Sequence, residues 1–416
     1  MTLRTTCALA GVALLAITAF GPARAQSPER AEVMHWWTSG GEAAAVKVFA
    51  DRFKAGGGEW VDSAVAGGEA ARAAAINRII GGNPPASSQF NTGRQFDDLV
   101  GQDLLADMSS VATEGNWTSV MPEAIVNAAS RDGKFYAVPV NIHGQNWMFY
   151  NAATFQKAGI TEAPTTFDAL FAALDKLKAA GVTPMAWGGQ AWQETLVFDA
   201  FLLGHVGKDN FIKIFRDHDT ALVNSPEFKK SVEDFAKLRN YVDAGAPGRN
   251  WNDATAMVIT GKAGVQIMGD WAKGDFINAK MTPGQDAGCA LVPGDAGYVM
   301  GGDVFVFPKN GSDTPTTPQA LLAKTMLDPE TQIEFNNVKG SIPVRTDVDT
   351  SKMDACAQKG VSEVRDPAKQ VPAATYMISA DTTGQLQDAI TNFFSNPSAS
   401  ADDFVATYAD IIGSAD

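Results

Sequence analysis

A chain of 416 residues has room for two domains, each with a core of its own. Its 47 acidic and 33 basic residues leave a formal charge of −14, which repels phosphate backbones and anionic bilayers, so nucleic acid is not an expected partner. The four histidines (His35, His143, His205 and His218) show no ligand spacing, so no metal site is expected, and because nucleotide-binding motifs are missing no cofactor is expected either.

Residues 1–25 carry Arg4, an apolar run from Ala8 to Phe20, and the small-x-small pattern Ala23-Arg24-Ala25. This reads as a bacterial secretory signal peptide cut after Ala25, so a secreted, soluble mature protein is expected. The run is short for a membrane span. Cys7 precedes it, so it marks no lipoprotein cleavage site. Cleavage would remove two arginines and no acid, leaving the chain more negative.

Strand-like and helical segments then alternate, the pattern of an α/β protein. Val33 to Trp37 reads as a strand. Ala43 to Lys54 is a helix with Val46, Phe49, Ala50 and Phe53 on one face, closed by Gly56-Gly57-Gly58. A strand over Glu59 to Val65 and a helix over Ala70 to Ile80 lead to the Asn83-Pro84-Pro85 break. A strand near the edge follows over Ala86 to Asn91. KFYAVPV, Lys134 to Val140, reads as one strand. Phe167, Leu170, Leu174 and Leu177 mark an amphipathic helix. Ser225-Pro226 opens another helix running to Tyr241. Ala263 to Met268 and Asp303 to Pro308 are apolar strands, and Asn310 to Pro318 is a polar loop. Chain crossings near Val140, near Gly301-Gly302 and after Arg345 divide the mature chain into two lobes. These are 26–139 with 303–348, and 140–302 with 349–416.

Cys289 and Cys356 remain after cleavage. In an oxidising compartment they form one disulfide, or else stay as two buried thiols.

The chain has no GxxxxGK[ST], no strand-GxGxxG-helix unit and no GxSxG elbow; the TGKAG at Thr260 lacks the upstream glycine. Glycoside hydrolysis needs only two facing carboxylates, and Glu42, Glu194, Asp270 and Asp303 are available. What stands out is tryptophan beside polar groups at turns: Trp36, Trp37, Trp187, Trp192, Trp251 and Trp271, with Trp147 in a more core-like run. A pyranose has apolar C–H faces and a polar equator. An indole face with a few fixed amides, carboxylates and ammonium groups suits both.

Five segments carry a resemblance: HWWTSGGE, VPVNIHGQNWMFYN, WNDATAMVITGKAGVQIMGDWAKGDF, GGDVFVFPK and NVKGSIPVR. Together they resemble the periplasmic sugar-binding proteins of ABC importers, in the glucose/mannose-type group of the family-1 extracellular solute-binding proteins. The resemblance implies a two-lobe α/β fold of the type II periplasmic binding kind, hinged, with a sugar in the interlobe cleft and no catalysis. It implies a monomer whose partners are a small-molecule sugar and the permease subunits of the inner membrane. The stacking tryptophans fall on Trp36 or Trp37 and on Trp271. Glu42 grips ring hydroxyls, Gln89 and Asp303 are polar contacts, and Lys339 is a cationic donor. His143 and Tyr376 complete the implied set. Tyr376 stands where glucose-binding members carry a histidine, and Gly144-Gln145 where relatives often place an arginine. The competing readings are a secreted carbohydrate-active enzyme and a binding protein that feeds a chemoreceptor.

Overall fold

The computed structural model describes residues 29–415 other than 295. The signal-peptide segment lies outside the described residues. Among those described, no helix is long and apolar enough to cross a membrane.

The strands in chain order are β1 (Glu29–His35), β2 (Gly58–Ala64), β3 (Ser87–Asn91), β4 (Ser130–Arg131), β5 (Lys134–Phe135), β6 (Ala137–Pro139), β7 (His143–Gly144), β8 (Trp147–Asn151), β9 (Thr183–Met185), β10 (Ala263–Met268), β11 (Ala287–Leu291), β12 (Tyr298–Gly301), β13 (Asp303–Val306) and β14 (Gln370–Pro372). A five-stranded sheet has the order β2-β1-β3-β13-β6 and a four-stranded sheet the order β11-β8-β10-β9. Helices cover each, giving two α/β lobes. A third sheet, β14-β12-β7, lies at the crossings. β7 follows β6 of the first sheet and precedes β8 of the second. β12 follows β11 of the second sheet and precedes β13 of the first.

Burial explains the strand sequences. All six residues of β10 and all four of β13 are buried, as expected of strands covered on both faces. Edge strand β2 keeps Glu59, Asp62 and Ser63 at least partly exposed.

Several boundaries differ from the sequence expectation. β1 starts at Glu29 and ends at His35, because Trp36 and Trp37 leave the ladder for a loop. β3 is not near an edge: it pairs with β1 and β13 and sits mid-sheet. KFYAVPV is two strands broken at Tyr136, one in a small hairpin with β4 and one in the large sheet. The first helix spans Gly40–Ala55, starting earlier than its apolar period suggested, because Ser39 caps it. Its side chain accepts from the Glu42 amide while Glu42 reaches back to the Ser39 amide, a capping box. The helix from Ser225 ends at Lys237 and tightens into a 3₁₀ turn over Leu238–Tyr241.

Cys289 of β11 and Cys356 of the Ala355–Arg365 helix are bonded, with Cα atoms 6.1 Å apart. At the crossing, Gly144 is required: a Cβ there would lie 2.2 Å from the Tyr298 ring.

Candidate functional site

β1 and β3 are parallel neighbours, paired Val33 with Ser87 and Met34 with Ser88, and the two tryptophans follow β1 directly. Trp37 is buried at 1 % exposure among Phe49, Phe305 and Phe335, with ring centroids 5.3–6.4 Å away. Trp36 is half-buried, with its indole beside Gly68. The Trp36 amide donates to Gln89 Oε1 at 3.1 Å, and Gln89 Nε2 donates to Asp303 Oδ1 at 3.0 Å. Gln89 thus ties the tryptophan loop to the centre of the molecule.

Asp303, the first residue of β13, is the hub. Oδ1 also accepts from Asn91 Nδ2 at 3.3 Å, and Oδ2 from Asn141 Nδ2 at 2.8 Å and His143 Nε2 at 2.9 Å. The other ring nitrogen of His143 faces Asp270 Oδ1 at 2.5 Å, so the imidazole lies between two carboxylates. Asp270 also accepts from the Gly144 amide at 3.0 Å. Burial opposes charge on His143, yet Asp270 and Asp303 outweigh it and raise its pKa. Burial likewise works to raise the Asp303 carboxyl, but His143, Lys339 and Asn141 outweigh it and hold it below its ordinary value.

Trp271 opens the helix that follows β10 and sets its ring edge-on to His143 at 4.9 Å. It folds back over Gly269, where a Cβ would come within 2.0 Å of the indole. Lys339 ends the Pro329–Lys339 helix. Its ammonium is buried, 3.3 Å from Glu42 Oε1 and about equally far from the rings of Trp37 (5.6 Å) and Trp271 (6.0 Å). Burial raises the Glu42 pKa, with Lys339 pulling it down and Asp303 pushing it up. Tyr376 bonds through its hydroxyl to Thr92 Oγ1, and burial pushes its pKa up.

Asp303, His143, Gln89, Trp271, Lys339 and Glu42 thus meet in one network with Trp36 and Trp37 at its first-lobe margin. Tyr376 is joined to Thr92, whose hydroxyl bonds the Gly302 carbonyl next to Asp303. Sequence reasoning did not single out Asn91, Asn141 or Asp275. Asp275 Oδ1 accepts from the Gly41 amide at 2.7 Å and from Ser39 Oγ at 3.2 Å, the same hydroxyl that accepts from the Glu42 amide in the capping box. Asn141 and Asp275 lie inside quoted segments, VNIHG and GDWAKGDF, and that adjacency was the available signal.

The family model for bacterial extracellular solute-binding protein matches residues 37–333. A probable sugar-binding periplasmic protein of Rhizobium meliloti is 40 % identical over 398 residues, covering 95 % of this chain and 91 % of its own. A Brucella suis protein described in the same words is 40 % identical over 380 residues, with coverage of 91 % and 86 %. The xylose/arabinose-binding protein XacG of Haloferax volcanii is 30 % identical over 394 residues, covering 90 % of this chain and 83 % of its own. Among solved structures, a chitin oligosaccharide binding protein superposes with a TM-score of 0.80 at 18 % identity, covering 94 % of this chain and 99 % of that one. The solute receptor AcbH, described as exclusive for β-D-galactopyranose, gives 0.78 at 18 % identity, with coverage of 92 % and 97 %. At these identities the likeness is one of fold.

Proposed function

The chain belongs to the bacterial extracellular solute-binding proteins, and from that premise we propose that it is the periplasmic component of an ABC importer that binds a sugar, with a monosaccharide unit such as glucose or a related one beside Trp271. The observation that carries this reading is the meeting of an indole face, Trp271, with Asp303, His143 and the Glu42–Lys339 pair drawn from both sheets and the crossing. Carboxylates accept from sugar hydroxyls, the ammonium donates to them, and the indole covers a C–H face. The lobes are 26–139 with 303–348 and 140–302 with 349–416. The mature protein starts after Ala25, works as a monomer in the periplasm, and hands its ligand to the permease subunits.

No covalent step is involved. Sugar bound in the open cleft bridges the lobes, and only contacts made better in the closed form shift the equilibrium. A melting screen against sugars identifies the ligand, because binding to the folded state alone raises the melting temperature. With that sugar, Trp271→Ala and Asp303→Asn each weaken binding at least tenfold by calorimetry, about 1.4 kcal/mol. Two variants that bind like wild type would remove this site from the reading. Cleavage of natural oligosaccharides or nitrophenyl glycosides would make the protein an enzyme instead.

A further inference from the structure

A second tryptophan stands beside Trp271 that the site described above does not use. β9 and β10 are parallel neighbours, paired Thr183 with Ala263 and Met185 with Val265, so their C-terminal ends emerge together. In open α/β sheets, ligands bind beyond such ends. From β10 the chain runs through Gly269 and Asp270 to Trp271. From β9 it runs through residues 186–190 to Trp192, in the first turn of the Ala191–Val206 helix. The two indoles lie 6.1 Å apart by centroid, tilted 46°.

Trp192 is held in place before any ligand arrives. Its Nε1–H donates to Gln190 Oε1 at 3.0 Å, and that oxygen also accepts from Gln193 Nε2 at 2.8 Å. Gln190 Nε2 donates in turn to Asn250 Oδ1 at 2.9 Å. The supporting loop is fixed by its glycines: a Cβ on Gly189 would meet the Ala246 carbonyl at 2.1 Å, and Gly189 exchanges backbone bonds with Arg249 and Gly248. Because its N–H is occupied, what the part-exposed Trp192 offers a ligand is an apolar ring surface. The Trp271 ring packs near-perpendicular to the buried His143 and also neighbours Trp192, so the two indoles form one aromatic cluster.

Resting on the sugar-binding reading, we infer that Trp192 forms a second ring position next to Trp271, and that the preferred ligand is a saccharide of at least two linked pyranoses. The inner ring meets Trp271 and the Asp303 network. The next ring covers Trp192. Such a face adds affinity only when a second ring exists to cover it, which separates its effect from that of the inner site.

Calorimetry on the full mature protein tests this with matched pairs: glucose against maltose and cellobiose, and xylose against xylobiose. One disaccharide is expected to bind at least fivefold more tightly than its monosaccharide. Trp192→Ala raises that disaccharide's Kd at least tenfold and the monosaccharide's less than twofold, while Trp192→Phe, which keeps a ring, restores most of the loss. The sugar-free melting temperature of each variant confirms that it is folded. Equal loss for both members of a pair, or no disaccharide preferred over its monosaccharide, would overturn the inference. If no sugar of any length bound the wild-type protein, the sugar-binding reading would fail first and this inference with it.

Discussion

His143 is held on both ring nitrogens by acids, Asp270 at 2.5 Å and Asp303 at 2.9 Å, and all three side chains are buried. Two carboxylates with no cation between them would repel in a poorly solvated place, so the imidazolium is their counter-ion. Its pKa is raised in the folded protein, so its contribution to stability is full below the unfolded value of about 6.5 and is lost as pH rises through the folded value. Asp303 runs the other way. Its pKa is lowered, so its contribution is present above the unfolded value of about 3.9 and lost as pH falls through the folded one. The trio therefore stabilises most between those limits. His143→Gln leaves both acids without the charge and is expected to cost about 3–5 kcal/mol in urea unfolding near pH 6. The gap to wild type should narrow as pH is raised, because wild-type His143 then loses its proton as well. A gap constant from pH 6 to pH 10 would mean that the imidazole acts by shape and hydrogen bonding alone.

Between elements, the closest approach runs through glycine. The N-terminus of the Gly40–Ala55 helix meets the Ala272–Asn278 helix where a Cβ on Gly41 would fall 2.4 Å from the Gly274 carbonyl carbon. On the other side of that short helix, a Cβ on Gly340 would lie 2.7 Å from the Asp270 carbonyl oxygen and 2.9 Å from the Gly274 amide nitrogen. Asp275 then seats its carboxylate on the Gly41 amide, where the helix dipole favours a negative charge. One partner in each contact follows β10 of the second sheet, and the other belongs to a helix packed with the first. Gly41→Ala puts a methyl against backbone that cannot yield, so the helices must part. We expect the sugar-free melting temperature to change little, because an open form avoids the clash, and the sugar-induced rise to shrink with at least a tenfold weaker Kd. An unchanged Kd would mean that the seam does not close on ligand. The sequence announced much of this layer. Apolar periods located the helices, Ala263 to Met268 was read to the residue, and Glu42, Asp303 and Lys339 were singled out through motif resemblance. It did not show why SGGE carries two glycines: the reason is a helix 234 positions away. Nor did it show Asn91 and Asn141 as donors to Asp303, 212 and 162 positions distant, since a lone amide at a strand end reads like any solvated polar residue. A strand over Val33 to Trp37, as the sequence reads, would make Trp36 and Trp37 alternate in facing. They do not, because the ladder ends at His35, and packing on Phe335 rather than strand parity decides which is core.

At the scale of the whole molecule, buried polar groups and close glycine contacts join the parts that carry the two sheets. Asp303–His143–Asp270, Gly41–Asp275 and the Gly274–Gly340 approach all join parts that follow the second sheet's strands to parts packed with the first. Large apolar interfaces would lock such lobes together; polar contacts can be exchanged for water or for ligand hydroxyls at small net cost. The crossing strands are short, with β7 two residues and β12 four, so a change in lobe angle is absorbed by few dihedrals. On the proposed function, an open form would expose Asp303, Glu42 and Lys339 to water, and a sugar entering there would replace water on the same groups while drawing the lobes in. Closure then depends on the ligand's extra affinity for the closed arrangement: shifting the lobes from 1:99 to 99:1 takes about 5.5 kcal/mol of difference. Small-angle scattering on the mature protein is expected to give a smaller radius of gyration with saturating sugar than without. Gly41→Ala should hold the larger radius even when sugar is bound, since its methyl blocks the seam. A wild-type radius that sugar leaves unchanged, together with tight binding, would mean that the lobes rest closed and that ligand enters by a route other than hinge opening.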